Sequence, residues 1–140
     1  MDRIDMAGHL IRRLQQQSTQ VFQAQMQAAG VDLTSVQFAA LDALSQAPGI
    51  DQAGLSATIG FDRATIGGVI DRLELKGLAQ RVVCTRDRRA RRLRLTPEGE
   101  RLLAACRPVV EALQAEILAP LSSRERAAFV ALAKKALALA

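Results

Sequence analysis

Apolar residues recur over the first thirty positions at helical spacing, not strand spacing. Leu10, Ile11, Leu14, Val21, Phe22 and Met26, with Ser18 among them, follow one another at intervals of one, three and four. That spacing puts them on one face of a helix. The pattern predicts a helix over Ala7–Ala29, about six turns long, stopped by Gly30. Glutamines 15, 16, 17, 20, 23, 25 and 27 cover the other sides. An amphipathic helix this long in a small chain suits packing against a second subunit better than a life as a solvated rod.

Shorter helices follow, each with its own start and stop. Thr34 caps a predicted helix Ser35–Gln46 with Val36, Phe38, Ala39, Leu41 and Leu44 inward, ended by Pro48-Gly49. Asp51 caps Gln52–Ile59, with Leu55 and Ile59 inward. Gly60-Phe61 makes a tight turn, and Asp62 caps Arg63–Lys76, with Ile66, Val69, Ile70 and Leu73 inward and Gly77 just past the end. Two short helices joined by a Gly-containing turn form a helix-turn-helix, whose second helix enters the DNA major groove. The period then changes. Val82, Val83 and Cys84, a polar tip Thr85–Arg89, and the alternation of Arg91, Leu93 and Leu95 with Arg92 and Arg94 predict a two-stranded ribbon over Ala79–Leu95. Thr96-Pro97 opens a helix running to about Ala119, with Pro108 a candidate kink. Ser122-Ser123-Arg124-Glu125 is a capping box for a last helix, Ser123–Leu139, with Phe129, Leu132, Ala133, Ala136 and Leu137 inward.

Charge sharpens this picture. The net charge is +5, and sixteen of the nineteen basic residues are Arg. Residues 1–80 carry −2, residues 81–101 carry +5 and residues 102–140 carry +2. Seven arginines fall within Arg81–Arg94. Such local excess marks a contact surface for a polyanion, and the guanidinium fork suits phosphates and guanine edges. Four Phe and no Trp or Tyr argue against single strands read by base stacking.

One His, two distant Cys, no acid cluster at metal-ligand spacing and no Gly-rich phosphate loop leave nothing to build an enzyme, a metal site or a cofactor site from. No stretch reaches the roughly 20 apolar residues of a membrane span, and the N-terminus lacks a signal-peptide layout; a cytoplasmic protein is expected. Cys84 and Cys106 read as buried or half-buried free thiols, with Cys84, among basic neighbours, the better redox sensor of the two.

Several spaced motifs together carry a resemblance. Leu33-Thr34 with Gln37, Leu55-Ser56, Ile59-Gly60 and Asp62-Arg63-Ala64-Thr65-Ile66 are followed by Ile70-Asp71-Arg72-Leu73-Glu74-Leu75-Lys76-Gly77-Leu78 and Arg81. Asp87-Arg88-Arg89-Ala90 and Leu95-Thr96-Pro97-Glu98-Gly99 close the series. The chain resembles the MarR family of winged helix-turn-helix regulators, closely over about residues 33–103. The resemblance implies a mainly α fold with a small β-hairpin wing. One domain, 1–140, would comprise dimerisation helices at 1–30 and 105–140 and a DNA-binding lobe at 31–104. It further implies a homodimer on a near-palindromic double-stranded DNA site, acting as a repressor that a small aromatic acid releases. The run Ile4–Gln17 resembles members that repress nicotinate breakdown, which points to a hydroxylated pyridine carboxylate.

The expected DNA face of the recognition helix is Arg63, Ala64, Thr65, Gly67, Gly68 and Arg72. Arg63 can reach a phosphate or guanine and Thr65 a phosphate or base, while Asp62 serves as a cap. Gly67 and Gly68 replace the polar or basic side chains of many members. Each costs about 1 kcal/mol in a helix relative to Ala, and reflects a habit of one family branch, close packing, or a bare face that sits deep in the groove. The family pattern puts Arg89 at the hairpin tip, where it can enter a minor groove, while Arg86, Arg88 and Arg91 meet phosphates. Asp87 either pairs with an arginine, Arg72 or a wing neighbour, or simply forms the turn. Ser35, Gln37, Gln52 and Ser56 could donate to the DNA backbone.

For an effector, Arg12 or Arg13 could hold a carboxylate and His9 a ring substituent, with Met26, Phe38 and Leu41 as an apolar wall. A solvated or dimer-facing polar cluster and ordinary core packing account for the same residues. Two other functions stay open: a regulator governed by thiol oxidation or its own abundance, and an adaptor whose basic wing binds an acidic protein.

Overall fold

A computed structural model of the chain describes residues 1–83, Arg86 and residues 91–139. A short 3-10 turn (Arg3–Asp5) precedes α1 (Ala7–Ala28), α2 (Ser35–Gln46), α3 (Gln52–Ile59) and α4 (Arg63–Leu75). Strands β1 (Ala79–Val83) and β2 (Arg91–Leu95) form the ribbon, and α5 (Pro97–Ile117) and α6 (Ser123–Ala136) complete the chain. The ends of α2, α3 and α4 fall where the capping residues put them. Thr34 and Gln37 form a reciprocal capping box, and Asp51 and Asp62 each accept a backbone N–H three residues on. Helix α5 passes through Pro108 as one element.

One core joins the middle of the chain. Leu41 and Leu44 of α2, Leu55 of α3, Ile66, Ile70 and Leu73 of α4, and Leu93 of β2 are all buried in it. Phe22 and Met26 close it from α1, Leu103, Cys106 and Leu113 from α5. The ribbon is antiparallel, with Ala79 opposite Leu95 and Val83 opposite Arg91. A connection the periodicity does not reveal pins its base. Gly49 N–H donates to the Leu93 carbonyl at 3.0 Å, and Leu93 N–H donates to the Ile50 carbonyl at 2.9 Å. The α2–α3 loop thus borders β2 like a third strand.

The ends depart from expectation. Helix α6 stops at Ala136, short of Leu139, and none of its residues is buried. Phe129, Leu132 and Leu137, expected inward, are exposed, Leu132 at 66%. Ala133 is half-buried and Ala136 exposed. Leu10 and Ile11 of α1 are exposed as well. The periodicity of these helices is right, but a single chain supplies no surface for their apolar faces to meet.

Candidate nucleic-acid interface

The recognition helix α4 begins at a well-made cap. Asp62 accepts from Thr65 N–H at 2.8 Å and from Thr65 Oγ1–H at 2.9 Å, and these bonds hold its carboxyl below the usual range. They favour the charged form. The expected role of Thr65 as a hydroxyl donor to DNA is thereby modified. Its proton is committed to Asp62, and only its oxygen remains to accept a bond.

Arg63, Ala64, Thr65, Gly68 and Arg72 are exposed, and Gly67 is half-buried. A Cβ added at Gly68 would meet nothing within 4 Å, whereas one at Gly67 would lie 3.1 Å from Gln52 Nε2. Close packing therefore accounts for Gly67 and not for Gly68. Arg86, Arg91, Arg92 and Arg94 are exposed along the ribbon, and Arg92 NH1 donates to the Gly49 carbonyl at 3.2 Å. The expectations for Asp87, Arg88, Arg89 and Cys84 fall outside the described residues.

Of the four polar residues expected to reach the DNA backbone, Gln37 and Ser56 are buried and Gln52 is bonded within the chain. Gln37 is buried, completing the α2 cap and accepting from Lys76 Nζ at 3.0 Å. Lys76 also donates to the Asp32 carbonyl at 2.7 Å, so it ties the end of α4 to the loop before α2. Ser56 is buried and donates to the Phe61 carbonyl, bracing the turn between α3 and α4. Gln52 Nε2 donates to the Arg63 carbonyl at 3.2 Å. Ser35 is half-buried at the start of α2.

Arg81 is the residue that sequence reasoning underrated. It stands on β1, with its side chain 24% exposed. NH1 donates to Asp71 Oδ1 at 2.7 Å and to Glu74 Oε1. NH2 reaches Gln52 Oε1 at 3.3 Å and the Gly67 carbonyl at 3.5 Å. Burial pulls the guanidinium pKa down, but the bonds to Asp71 and Glu74 outweigh it and the net shift is upward. The available signal was the pair Asp71 and Glu74, one turn apart on the helix that leads into a basic strand.

The effector candidates do not form one cluster. His9 is half-buried, Arg12 and Arg13 are exposed, Phe38 is half-buried, and Met26 and Leu41 are core residues. Phe38 packs against Phe22 with ring centroids 6.1 Å apart. At about 1.5 Å per residue, Met26 lies some 20–25 Å along α1 from Arg13 and His9. A hollow of about 450 Å3 at the elbow between α1 and α2 is lined by Met26, Gly30, Asp32 and Thr34 and by none of His9, Arg12, Arg13, Phe38 or Leu41. Cys106 is a buried free thiol whose pKa burial raises. Among the described residues no helix is long and apolar enough to cross a membrane.

A helix-turn-helix followed by a hairpin pinned to its base defines a winged helix-turn-helix protein, the architecture of a DNA-binding regulator. The sequence model of the MarR family matches residues 31–90. The chain is 36% identical over 129 residues to the transcriptional regulator HosA of Escherichia coli O157:H7, covering 92% of this chain and 93% of that one. It is 35% identical over 134 residues to the HTH-type transcriptional repressor NicR of Pseudomonas putida, covering 96% of this chain and 84% of the relative. The solved structure of Bordetella bronchiseptica BpsR, whose DNA binding is regulated by 6-hydroxynicotinic acid, superposes with a TM-score of 0.84. That match has 31% identity and covers 94% of this chain and 92% of BpsR. The chain belongs to the MarR family and is a transcriptional regulator.

Proposed function

We propose that this regulator is a homodimeric repressor that reads a near-palindromic duplex and leaves it when a small aromatic acid binds. The observation that carries the reading is the run of exposed arginines, Arg63, Arg72, Arg86, Arg91, Arg92 and Arg94, on the recognition helix and ribbon. Arg63, Ala64, Thr65, Gly67, Gly68 and Arg72 meet the major groove. Arg86, Arg88 and Arg91 bind phosphates, and Arg89 enters the minor groove. Residues 31–104 form the reading lobe, and segments 1–30 and 105–140 pair two chains. The exposed apolar faces of α1 and α6 support that pairing.

The effector is a hydroxylated pyridine carboxylate or a related aromatic acid, the chemistry that regulates the similar BpsR. Arg12 or Arg13 takes the carboxylate and His9 the ring substituent. Because Met26 of the apolar wall lies far along α1 from these groups, the second chain must bring the polar set and the apolar wall together. Two recognition helices on one face of B-DNA need a separation of about 34–36 Å. A ligand that binds better to another spacing depletes the DNA-binding form.

The test is a mobility shift with DNA flanking the protein's own gene, repeated over a range of salt. Expected is a steep fall of affinity with salt, reflecting several neutralised phosphates, and release by 6-hydroxynicotinic acid. A flat salt dependence would sink the DNA reading, and indifference to every aromatic acid in a thermal-shift screen would sink the effector reading.

A further inference from the structure

We propose that Arg81 is a positioning residue that locks the ribbon to the recognition helix, so that both elements meet one duplex as a single rigid reader. The inference rests on the DNA-binding reading above. Six other arginines follow within Arg81–Arg94, and Arg92 and Arg94 on the facing strand are exposed. Arg81 spends its charge inside the chain, its side chain only 24% exposed. Its partners come from two helices. Asp71, Glu74 and the Gly67 carbonyl lie on α4 and Gln52 on α3. The Arg81 backbone N–H adds a bond to Glu74 Oε2 at 3.3 Å.

These contacts index nearly the whole of α4 against β1. Glu74 is near its C-terminal end and Gly67 near its middle, and Gln52 extends the chain of bonds to the Arg63 carbonyl at its start. A guanidinium can serve four acceptors at once because its donors form a fixed planar fork. A lysine ammonium is a single point on a flexible stem and cannot reproduce that geometry. Position matters here because groove contacts tolerate little misplacement, whereas phosphate attraction tolerates much.

Arg81 also offsets part of the charge of two carboxylates beside the proposed interface, and the Asp71 side chain is 65% exposed. Charge masking and positioning must therefore be separated. The probes are the duplex that the wild-type protein selects from a random library and a random-sequence duplex of equal length. Arg81→Lys keeps the charge and loses the fork. Its affinity for the selected duplex should fall about 10- to 100-fold, as expected for lost charged hydrogen bonds. Affinity for the random duplex, its salt dependence and the oligomeric state should hold. The triple variant Arg81→Met, Asp71→Asn, Glu74→Gln removes all three charges and should stay unselective. Gln52→Ala, a milder change that leaves the ion pairs intact, should lose selectivity in the same direction.

Recovery of selectivity in the triple variant would reduce Arg81 to a charge mask and overturn the inference. So would undiminished selectivity in both Arg81→Lys and Gln52→Ala, or equal losses on both duplexes. If the wild-type protein selects no duplex, the DNA reading itself fails.

Discussion

Between Leu33 and Cys106 the apolar periodicity predicted for α2, α3 and α4 is largely spent on burial. Leu41, Leu44, Leu55, Ile66, Ile70 and Leu73 are closed off from solvent within one chain. In α6 the same kind of periodicity buries nothing, and the first turns of α1 leave Ile11 65% exposed. The middle of the molecule is a finished unit and the ends are half of one. Exposed apolar faces on two helices mark an interaction surface, and in the proposed homodimer the same division assigns DNA reading to the finished part and pairing to the ends.

The largest expected effect comes from attacking the ends. Leu132→Glu puts a charge on the apolar face of α6, where burial of an unpaired carboxylate in an interface is costly. We expect the proposed dimer to loosen by a factor of about a hundred or more, as when a central interface residue is lost. Sedimentation over a range of concentrations measures this. A variant that stays as tightly paired as the parent would remove α6 from the interface and with it half of the comparison.

Attacking the middle should leave pairing alone and cost folding stability. A Cβ at Gly99 would lie 2.0 Å from the Leu78 carbonyl oxygen. That oxygen accepts from Thr96 N–H at 3.1 Å, so Gly99→Ala drives α5 away from the joint between α4 and β1. Overpacking of this kind costs about 2–3 kcal/mol, to be read from the denaturant midpoint. An unchanged midpoint would show that the joint yields easily and that the lobe is less rigid than its hydrogen bonds imply.

The same contrast decides what was legible in the sequence. The limits of α2, α3 and α4 were readable because each is set by a residue next to it in the chain: Thr34, Asp51 or Asp62 before, Gly60 or Gly77 after. The membership of the core followed from periodicity. Contacts that join distant segments left no periodic trace. Arg81 meets Gln52 twenty-nine positions away, and Lys76 meets Asp32 forty-four away. The Gly49–Leu93 bonds are made by backbone, which any residue can supply. Gln37 and Ser56 read as surface donors by residue type alone, while the packed structure shows that their bonds are already made. At the ends, periodicity places Phe129, Leu132 and Leu137 on the last helix but does not say what covers them, and within one chain they stay exposed.

The smallest expected change is the one that best tests where the middle meets DNA. Gly68 has a negative φ in the interior of α4 and open space where a Cβ would stand. In the free protein Gly68→Ala should therefore stabilise the helix by about 1 kcal/mol, raising the melting temperature by a few degrees. Gly67→Ala gains less, because Gln52 Nε2 at 3.1 Å must give way and Gln52 helps to hold Arg81. If the bare face at Gly68 is pressed against a duplex, the same methyl costs about tenfold in affinity, the lower end of what overfilling a fitted surface costs. Stability and affinity then move in opposite directions, which a general weakening of the lobe cannot produce. A Gly68→Ala protein that melts higher and binds the selected duplex as well as before would show that this stretch of the helix stands clear of the groove, and would leave base reading to Arg63, Thr65 and Arg72.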